Sequence, residues 1–234
     1  MSINRREFFM GMGVCLTPIS VSASPSTFNQ YTFVQRDSIG VYSRVAQLSQ
    51  TWQSIFGSRA NLARQYNRQN VQLEPGQYYM IPPNNSSMES LSPFPSRWQT
   101  DESYLVVINP VDYAWALYVK GRQIRWGSAV CGGSWCSDVA RSCQTPTGYF
   151  TVSEVAGPHR RSSSYPIIEA AEGRGALMPY YMRLTSRGVG MHARYIKGSH
   201  ETHGCIGLFY QDAQWLNLEV ARHHKLNVVV LSYA

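Results

Sequence analysis

In the second half of the chain, from residue 101 onward, short apolar runs are separated by polar and turn-forming residues. Four short apolar runs occupy 105–109, 115–119, 124–127 and 148–152. Runs of this length, separated by glycine and proline at spacings near ten residues, predict a mainly antiparallel sheet or sandwich. Apolar residues at helical spacing predict one helix over 212–224, and a closing strand is expected over 226–232.

The first half of the chain has a different pattern, with helical periodicity between two short strands. Six apolar residues spaced as on one helix face predict a single helix that ends at Gly57, namely Val41, Val45, Leu48, Trp52, Ile55 and Phe56. A shorter helix opened by Ser58 should follow. Strands are expected over 31–34 and 77–81. Together these elements predict a small α+β module over 28–83.

Residues 84–100 separate the two patterns. Their first part, 84–96, is rich in asparagine, serine and proline, a composition typical of an exposed connection. We therefore expect a linker here, followed by a catalytic-sized domain over 101–234.

The N-terminal residues 1–23 have the order of an export signal. Arg5 and Arg6 precede a short apolar run, and a small-residue site ends at Ala23. Adjacent arginines before a mildly apolar run resemble the bacterial twin-arginine signal. The alternative is an uncleaved N-terminal anchor. No later run approaches the roughly 18 apolar residues of a membrane helix, so we expect a periplasmic or cell-envelope protein without a membrane span after cleavage.

Composition and charge narrow the functional classes. The chain has 234 residues, 44% of them hydrophobic, which excludes overall disorder. A net charge of +7 with only 15% charged residues favours polyanionic surroundings, although a merely basic protein fits equally well. Nucleic acid is disfavoured as a partner, because no binding motif is present and the chain carries an export signal.

Candidate chemistry concentrates at residues 188–208. Cys205 follows His203 by two residues and His192 by thirteen. A thiol attacks as a thiolate and needs a nearby base, and either histidine could take its proton. The backbone N–H groups of Gly204 and Cys205 are candidates for an oxyanion hole. An inert buried cysteine beside packing histidines is the alternative that these residues alone leave open.

Several ordered motifs resemble the YkuD-type L,D-transpeptidases. The segment 202–207, Thr-His-Gly-Cys-Ile-Gly, is similar to that family's Ser-His-Gly-Cys-Ile-Arg signature, and His192 after Gly190-Met191 matches its upstream histidine. Residues 145–150, Thr-Pro-Thr-Gly-Tyr-Phe, match its Thr-Pro-x-Gly-x-Phe turn. Residues 178–180 match its pre-catalytic strand. The resemblance covers about 103–232 and implies a β-sandwich with a C-terminal helix.

The resemblance also implies roles for individual residues. Cys205 would be the nucleophile, His192 its base and His203 an orienting or proton-transferring group. Substrate contacts would come from Thr202, Arg194 and Tyr180. Gly207 stands where the family usually has arginine, and both Arg194 and Arg183 are candidates to replace that guanidinium.

The implied reaction is a two-step acyl transfer on peptidoglycan, without a cofactor. Cys205 would form a thioester with a stem peptide and release D-Ala, and an amine of a neighbouring stem would then complete a 3-3 cross-link. A lipoprotein lysine, a D-amino acid or water are alternative acceptors, and water would make the protein an L,D-carboxypeptidase. A non-catalytic peptidoglycan-binding protein is the remaining alternative.

The N-terminal module resembles a LysM module, which binds glycans containing N-acetylglucosamine. The resemblance rests on Leu73 to Gln77 and on Ile81-Pro82, and about 62–82 match well. A small cap that packs on the catalytic domain is the alternative interpretation.

Two further patterns concern metal and disulfide chemistry. His200-Glu201-Thr202-His203 invites a zinc interpretation, but the helical zinc motif needs a longer spacing, so no metal is expected. With Cys15 in the signal and Cys205 needed as a free thiol, three cysteines remain. We expect a disulfide between Cys136 and Cys143, which a short loop can close, and the rival pairing joins Cys131 to Cys143.

Overall fold

The computed structural model of the protein describes residues 41–44 and 49–233. The predicted export signal over 1–23 and the predicted strand over 31–34 lie outside these residues. The described strands are β1 (Val41–Arg44), β2 (Tyr78–Ile81), β3 (Tyr104–Asn109), β4 (Ala114–Val119), β5 (Arg122–Val130), β6 (Gly148–Thr151), β7 (Glu154–Val155), β8 (Met182–Arg183), β9 (Gly190–Ala193), β10 (Ile206–Leu208) and β11 (Asn227–Val230). The described α-helices are α1 (Trp52–Phe56), α2 (Ala60–Tyr66), α3 (Ile167–Ala171) and α4 (Tyr210–Trp215).

Short non-α turns complete the helical elements. Two 3₁₀ turns lie at Gly57–Arg59 and Glu89–Leu91, and α4 continues as a π-helical segment over Leu216–Ala221. The C-terminal helix predicted over 212–224 is therefore present, although it starts and ends slightly earlier. Among the described residues, no helix combines the length and apolar character needed to cross a bilayer.

The C-terminal half of the chain forms one mixed nine-stranded sheet rather than the expected sandwich of two sheets. The strand order is β6-β11-β3-β4-β5-β10-β9-β8-β7. Most pairs are antiparallel, as predicted, but β9–β10 and β3–β11 are parallel. The nine-residue strand β5 joins the two parts of this sheet, because its first part pairs with β4 and its end pairs with β10. The sandwich expectation was wrong in this respect: one sheet curls around a shared strand.

The main core lies inside this curled sheet. Val106 and Ile108 on one face of β3 belong to it, together with residues of β8 to β11 and of α4. Leu105 and Val107 point to the opposite face, as the two-residue period of a strand requires. Both faces of β3 are buried, which explains why its sequence is a continuous apolar run rather than an alternating one.

The expected exposed linker covers that outer face. Asn84 and Asn85 are exposed, but Phe94 is buried in the same cluster as Leu105 and Val107. The Trp126 indole N–H donates to the Met88 carbonyl. Although 84–96 is mostly polar in composition, a few of its apolar side chains pack on the outer face of the sheet.

The N-terminal unit differs from its predicted arrangement. Residues 41–44 form a strand, antiparallel to β2 with Val41 opposite Ile81, so a helix starting at Val41 was wrong. The helix begins at Trp52, where the Thr51 side chain caps the Ser54 backbone N–H. Its end at Gly57 agrees with the prediction. The conformation of 41–44 depends on pairing with β2, which the local spacing of apolar residues cannot predict.

Buried polar contacts join this unit to the catalytic sheet. The Gln65 side-chain carbonyl accepts hydrogen bonds from the Ser128 backbone N–H and hydroxyl, both at 2.7 Å. Its amide donates to the Asp212 carboxylate at 3.0 Å. Asn70 accepts from the Ile196 N–H at 2.7 Å through its side chain and donates to the Ile196 carbonyl through its backbone. The N-terminal unit therefore packs directly against the loop that follows β9.

Candidate active site

The parallel pair β9–β10 brings the candidate base and nucleophile together. In its register, Gly207 lies opposite His192. Cys205 directly precedes β10 and lies two residues before Gly207, so the two-residue period of a strand favours the face of His192 for its side chain. Neighbouring strands are about 4.8 Å apart, and glycine at 207 leaves room on that face for the stem of Arg194. The register thus favours a position of the thiol diagonal to the imidazole.

The Cys205 thiol is free, and the residue is partly exposed to solvent. Its Sγ donates to the Gly188 carbonyl at 3.8 Å. Burial raises the pKa of the Cys205 thiol, while a backbone hydrogen bond from Gly190 and the positive charge of Arg194 lower it. The thiol therefore rests as S–H, and forming the thiolate requires a base.

The buried residue Tyr181, which sequence reasoning missed, shapes the turn beside the thiol. Its hydroxyl donates to the Gly188 carbonyl at 2.8 Å. A Cβ at Gly190 would lie 2.5 Å from the Tyr181 ring and 2.4 Å from the Met182 carbonyl. Glycine at 190 is therefore needed for close approach of β8, and this approach fixes the N–H that points to the thiol.

His192 has the geometry of a neutral base. Its Nδ1 lies 2.9 Å from the Ala193 carbonyl, which can only accept, so Nδ1 carries the proton and Nε2 keeps its lone pair. The side chain is buried, and this burial lowers the pKa of His192 to about 4. The imidazole is consequently unprotonated at neutral pH and available to accept a proton.

The loop before β10 uses its own polar groups internally. Gly204 has a positive φ of 119°. Its N–H donates to the Thr202 hydroxyl at 3.2 Å, and that hydroxyl donates to the Cys205 carbonyl. Thr202, predicted as a substrate contact, is buried, and its hydroxyl bonds hold the loop. Of the predicted pair of oxyanion donors, the Gly204 N–H is already engaged by this hydroxyl.

The two candidate arginines lie in different places. A Cβ at Gly207 would be 2.3 Å from Arg194 Cδ and 2.6 Å from its Cγ, so the Arg194 stem covers the position that an arginine at 207 would occupy. Its guanidinium pairs with Glu201 at 3.1 Å. Arg183 instead pairs with Glu154 at 2.6 Å. Of the two, Arg194 is the one that lies on the face of Cys205 and His192.

Tyr180, the third predicted substrate contact, is mostly buried. It has a positive φ of 57°, and its ring packs edge-on against Tyr210 at 5.4 Å between centroids. Residues 178–180, expected as a strand, form a turn ahead of β8, and the buried Tyr180 side chain packs there.

His203 bonds to a residue that the sequence did not single out. Its Nε2 lies 2.7 Å from the Asp138 carboxylate, and its ring stacks on Tyr165 at 4.2 Å between centroids. Asp138 precedes His203 by 65 residues, and no local pattern marks it as a partner.

His200, the other histidine of the zinc-like pattern, has structural partners at both ring nitrogens. Nδ1 accepts from the Cys131 N–H at 2.9 Å, and Nε2 lies 2.9 Å from the Pro110 carbonyl. Its ring stacks on Tyr113. These contacts join the loop after β9 to the turn between β3 and β4, and they engage the nitrogens that a metal would need.

A disulfide joins Cys136 to Cys143, the pairing expected from the cysteine count, and Cys131 is a buried free thiol. The cross-linked loop packs against the nucleophile loop. A Cβ at Gly132 would lie 1.7 Å from the Cys143 carbonyl, and Gly132 pairs with Thr202 in an isolated bridge.

Comparison with known proteins gives a family match for the catalytic half. A sequence model of the YkuD family, described as the L,D-transpeptidase catalytic domain, matches residues 103–228. No curated protein matches the chain significantly.

Solved structures give a similar result at the level of the fold. An L,D-transpeptidase from Xylanimonas cellulosilytica DSM 15894 is 19% identical with a TM-score of 0.51, over 73% of this chain and 78% of that one. An L,D-transpeptidase from Stackebrandtia nassauensis is 17% identical with a TM-score of 0.46, over 63% and 62%. L,D-transpeptidase 3 from Mycobacterium tuberculosis, in complex with a faropenem-derived adduct, is 21% identical with a TM-score of 0.43, over 56% and 60%. The first of these likenesses supports the fold of the curled sheet.

Proposed function

The chain belongs to the YkuD family of L,D-transpeptidase catalytic domains, and from this premise we propose that Cys205 and His192 carry out its acyl transfer on peptidoglycan stem peptides. It is an acyltransferase of this family. The observation that supports the proposed pair is the β9–β10 register, in which Gly207, two residues after Cys205, lies opposite His192, whose tautomer is fixed by the Ala193 carbonyl.

In the first step, the Cys205 proton passes to His192 Nε2 and the sulfur attacks the carbonyl of the third stem residue. The C–S bond forms, and the negative charge that develops on the oxygen is stabilised by the Cys205 N–H. The C–N bond to the terminal D-Ala then breaks. The departing amine takes the proton from His192, which returns the base to its neutral form.

In the second step, an amine of a neighbouring stem attacks the thioester. It gives its proton to His192, the new C–N bond forms, and the Cys205 sulfur leaves and recovers a proton. The product is a 3-3 cross-link. A lipoprotein lysine, a D-amino acid or water would enter at the same point.

Arg194 is proposed to assist this chemistry. Its stem lies over Gly207, and its charge lowers the pKa of Cys205, as a cation beside a thiolate should. The same guanidinium is available to a substrate carboxylate, since its partner Glu201 is exposed and the pair is held only at the surface.

Mass spectrometry of purified muropeptides incubated with the protein tests this function. We expect cross-linked dimers and released D-Ala with the wild-type chain and neither with Cys205→Ala. Cys131→Ala, which removes a buried free thiol that no proposed step uses, is the matched control and should retain turnover. His192→Ala should slow acylation roughly 10²–10⁴-fold, the usual contribution of a general base. Turnover by Cys205→Ala would overturn the proposal, while trimmed tripeptides alone would identify water as the acceptor.

The surroundings of this reaction are proposed from the sequence. Residues 1–23 would direct twin-arginine export to the periplasm or cell envelope, where peptidoglycan lies, and Arg5 and Arg6 changed to lysine should leave precursor in the cytoplasm. Residues 28–83 would bind glycan as a LysM-like module. Sedimentation of the Cys205→Ala chain with amidase-stripped glycan strands tests this binding, because those strands lack the stem peptides that the catalytic site recognises.

A further inference from the structure

His203 is held from two directions beside the nucleophile. The Asp138 carboxylate contacts the edge of its ring at 2.7 Å, and the Tyr165 ring covers one face at 4.2 Å. Both disulfide sulfurs lie close as well, since Cys136 Sγ, Cys143 Sγ and one His203 ring nitrogen are within 4.8 Å of one another. An imidazole two residues before Cys205 is therefore fixed by distant parts of the chain.

The loop closed by the disulfide supplies both of these restraints. Asp138 lies between the two cysteines and bonds directly to His203. Arg141, in the same loop, donates to the Tyr165 hydroxyl at 2.7 Å and so holds the ring that stacks on His203. Mutual backbone hydrogen bonds between Cys136 and Arg141 shape the loop.

This loop also contacts the nucleophile segment through its ends. The Cys143 carbonyl packs against Gly132, which pairs with Thr202. The Thr145 hydroxyl, just after the loop, donates to the Gly204 carbonyl at 2.8 Å. The cross-linked loop is thus braced on residues 202–204 while its tip reaches His203.

We propose that Asp138 is a positioning residue for the transfer reaction, which acts through His203. An ionised carboxylate can only accept, so the bond to Asp138 keeps a proton on His203 Nε2 and leaves Nδ1 as the nitrogen available to the reacting groups. The disulfide keeps this carboxylate in place, because Asp138 itself is exposed on a loop with few other restraints. The proposal rests on the proposed function, since it assigns a role within that reaction.

Exposure of Asp138 makes the idea testable without loss of the fold. Asp138→Asn preserves the size of the side chain and removes the charge. We expect kcat for muropeptide transfer to fall roughly 10- to 100-fold, the loss typical when a hydrogen bond to a charged group is broken, with KM little changed. The unfolding temperature and the rate of Cys205 alkylation by a small haloacetamide should stay at wild-type values, because His192 still serves the thiol.

Three further variants separate positioning from a merely structural effect. Asp138→Glu should restore part of the lost kcat, since it returns the carboxylate. Asp101→Asn, which removes an exposed carboxylate outside the site, is the control and should be neutral. In a His203→Gln background, Asp138→Asn should cause no additional loss, because a residue that acts through His203 has nothing left to position.

A loss in Asp138→Asn that persists unchanged in the His203→Gln background, or an unchanged kcat in Asp138→Asn, would overturn the inference. Failure of the proposed function looks different, because Cys205→Ala would then keep its turnover. Replacing Cys136 and Cys143 together by serine should reproduce the kcat loss of Asp138→Asn, and full activity of that double variant would contradict the role assigned to the loop.

Discussion

Burial keeps the proposed base His192 unprotonated at neutral pH, and it also makes the folded state less stable at acidic pH. His192 makes one hydrogen bond, to the Ala193 carbonyl, and its ring is otherwise desolvated, which explains why its pKa is lowered to about 4. Such an imidazole holds a proton poorly by itself. When the Cys205 proton is transferred to it, the thiolate formed on the same face supplies the compensating charge. His192 should therefore hold a proton only while the Cys205 thiolate is present.

The same desolvation of His192 should make the free energy of unfolding depend on pH. The unfolded chain protonates this histidine near its usual pKa of about 6.5, whereas the folded chain does so near 4. Between these values the unfolded state binds more protons, so the free energy of unfolding should fall as pH decreases through this window, by up to about 3 kcal/mol. Urea unfolding of the wild-type chain and of His192→Gln at about pH 7 and about pH 4.5 measures this. Equal losses in both proteins would show that other groups cause the pH dependence.

At the scale of elements, the close packing of β8 against β9 determines where the thiol's hydrogen-bond partners lie. Tyr181 immediately precedes β8 and bonds to the Gly188 carbonyl, while Gly190 begins β9 directly against the Tyr181 ring. The turn between the two strands thus presents a carbonyl and an N–H to Cys205 from fixed positions.

Gly190→Ala tests this arrangement. The added Cβ would meet the Met182 carbonyl and the Tyr181 ring at distances that force the strands apart. We expect the free energy of unfolding to fall by about 1–3 kcal/mol, as for other overpacked sites, and Cys205 alkylation to change in rate. Gly157→Ala is the matched control, because a Cβ there meets nothing within 4 Å. An unfolding free energy for Gly190→Ala equal to that of the control would mean that the turn adapts freely.

At the scale of the whole molecule, the N-terminal unit packs against the loop that joins the proposed base to the nucleophile. Asn70 holds Ile196, which is fully buried, and Gln65 connects Ser128 of β5 to Asp212 of α4. Buried polar groups of this kind need their partners, since an unpaired one is costly. The unit therefore contributes to the packing of the catalytic half.

Asn70→Ala should uncouple this contact. The Ile196 N–H would lose its side-chain acceptor in a buried position, and we expect a loss of about 1–3 kcal/mol in the free energy of unfolding. Limited trypsin digestion should also cut faster at Lys197, since the loop would open more often. The control is Asn61→Ala, an exposed asparagine on α2 of the same unit, which should be nearly neutral. Cleavage at the wild-type rate in Asn70→Ala would argue against bracing of the loop.

The sequence by itself predicted several strands of the catalytic half, its C-terminal helix and the candidate residues for its chemistry. Short apolar runs between turn residues mark β3, β4 and β6, helical spacing marks the C-terminal helix, and the motifs around His192 and Cys205 are short enough to be visible locally. Tertiary structure decided what depends on distant partners. Residues 41–44 became a strand because β2 pairs with them, Arg194 covers Gly207 through the β9–β10 register, and Asp138 reaches His203 across 65 residues. These outcomes depend on contacts between segments far apart in the chain, and no local spacing encodes them.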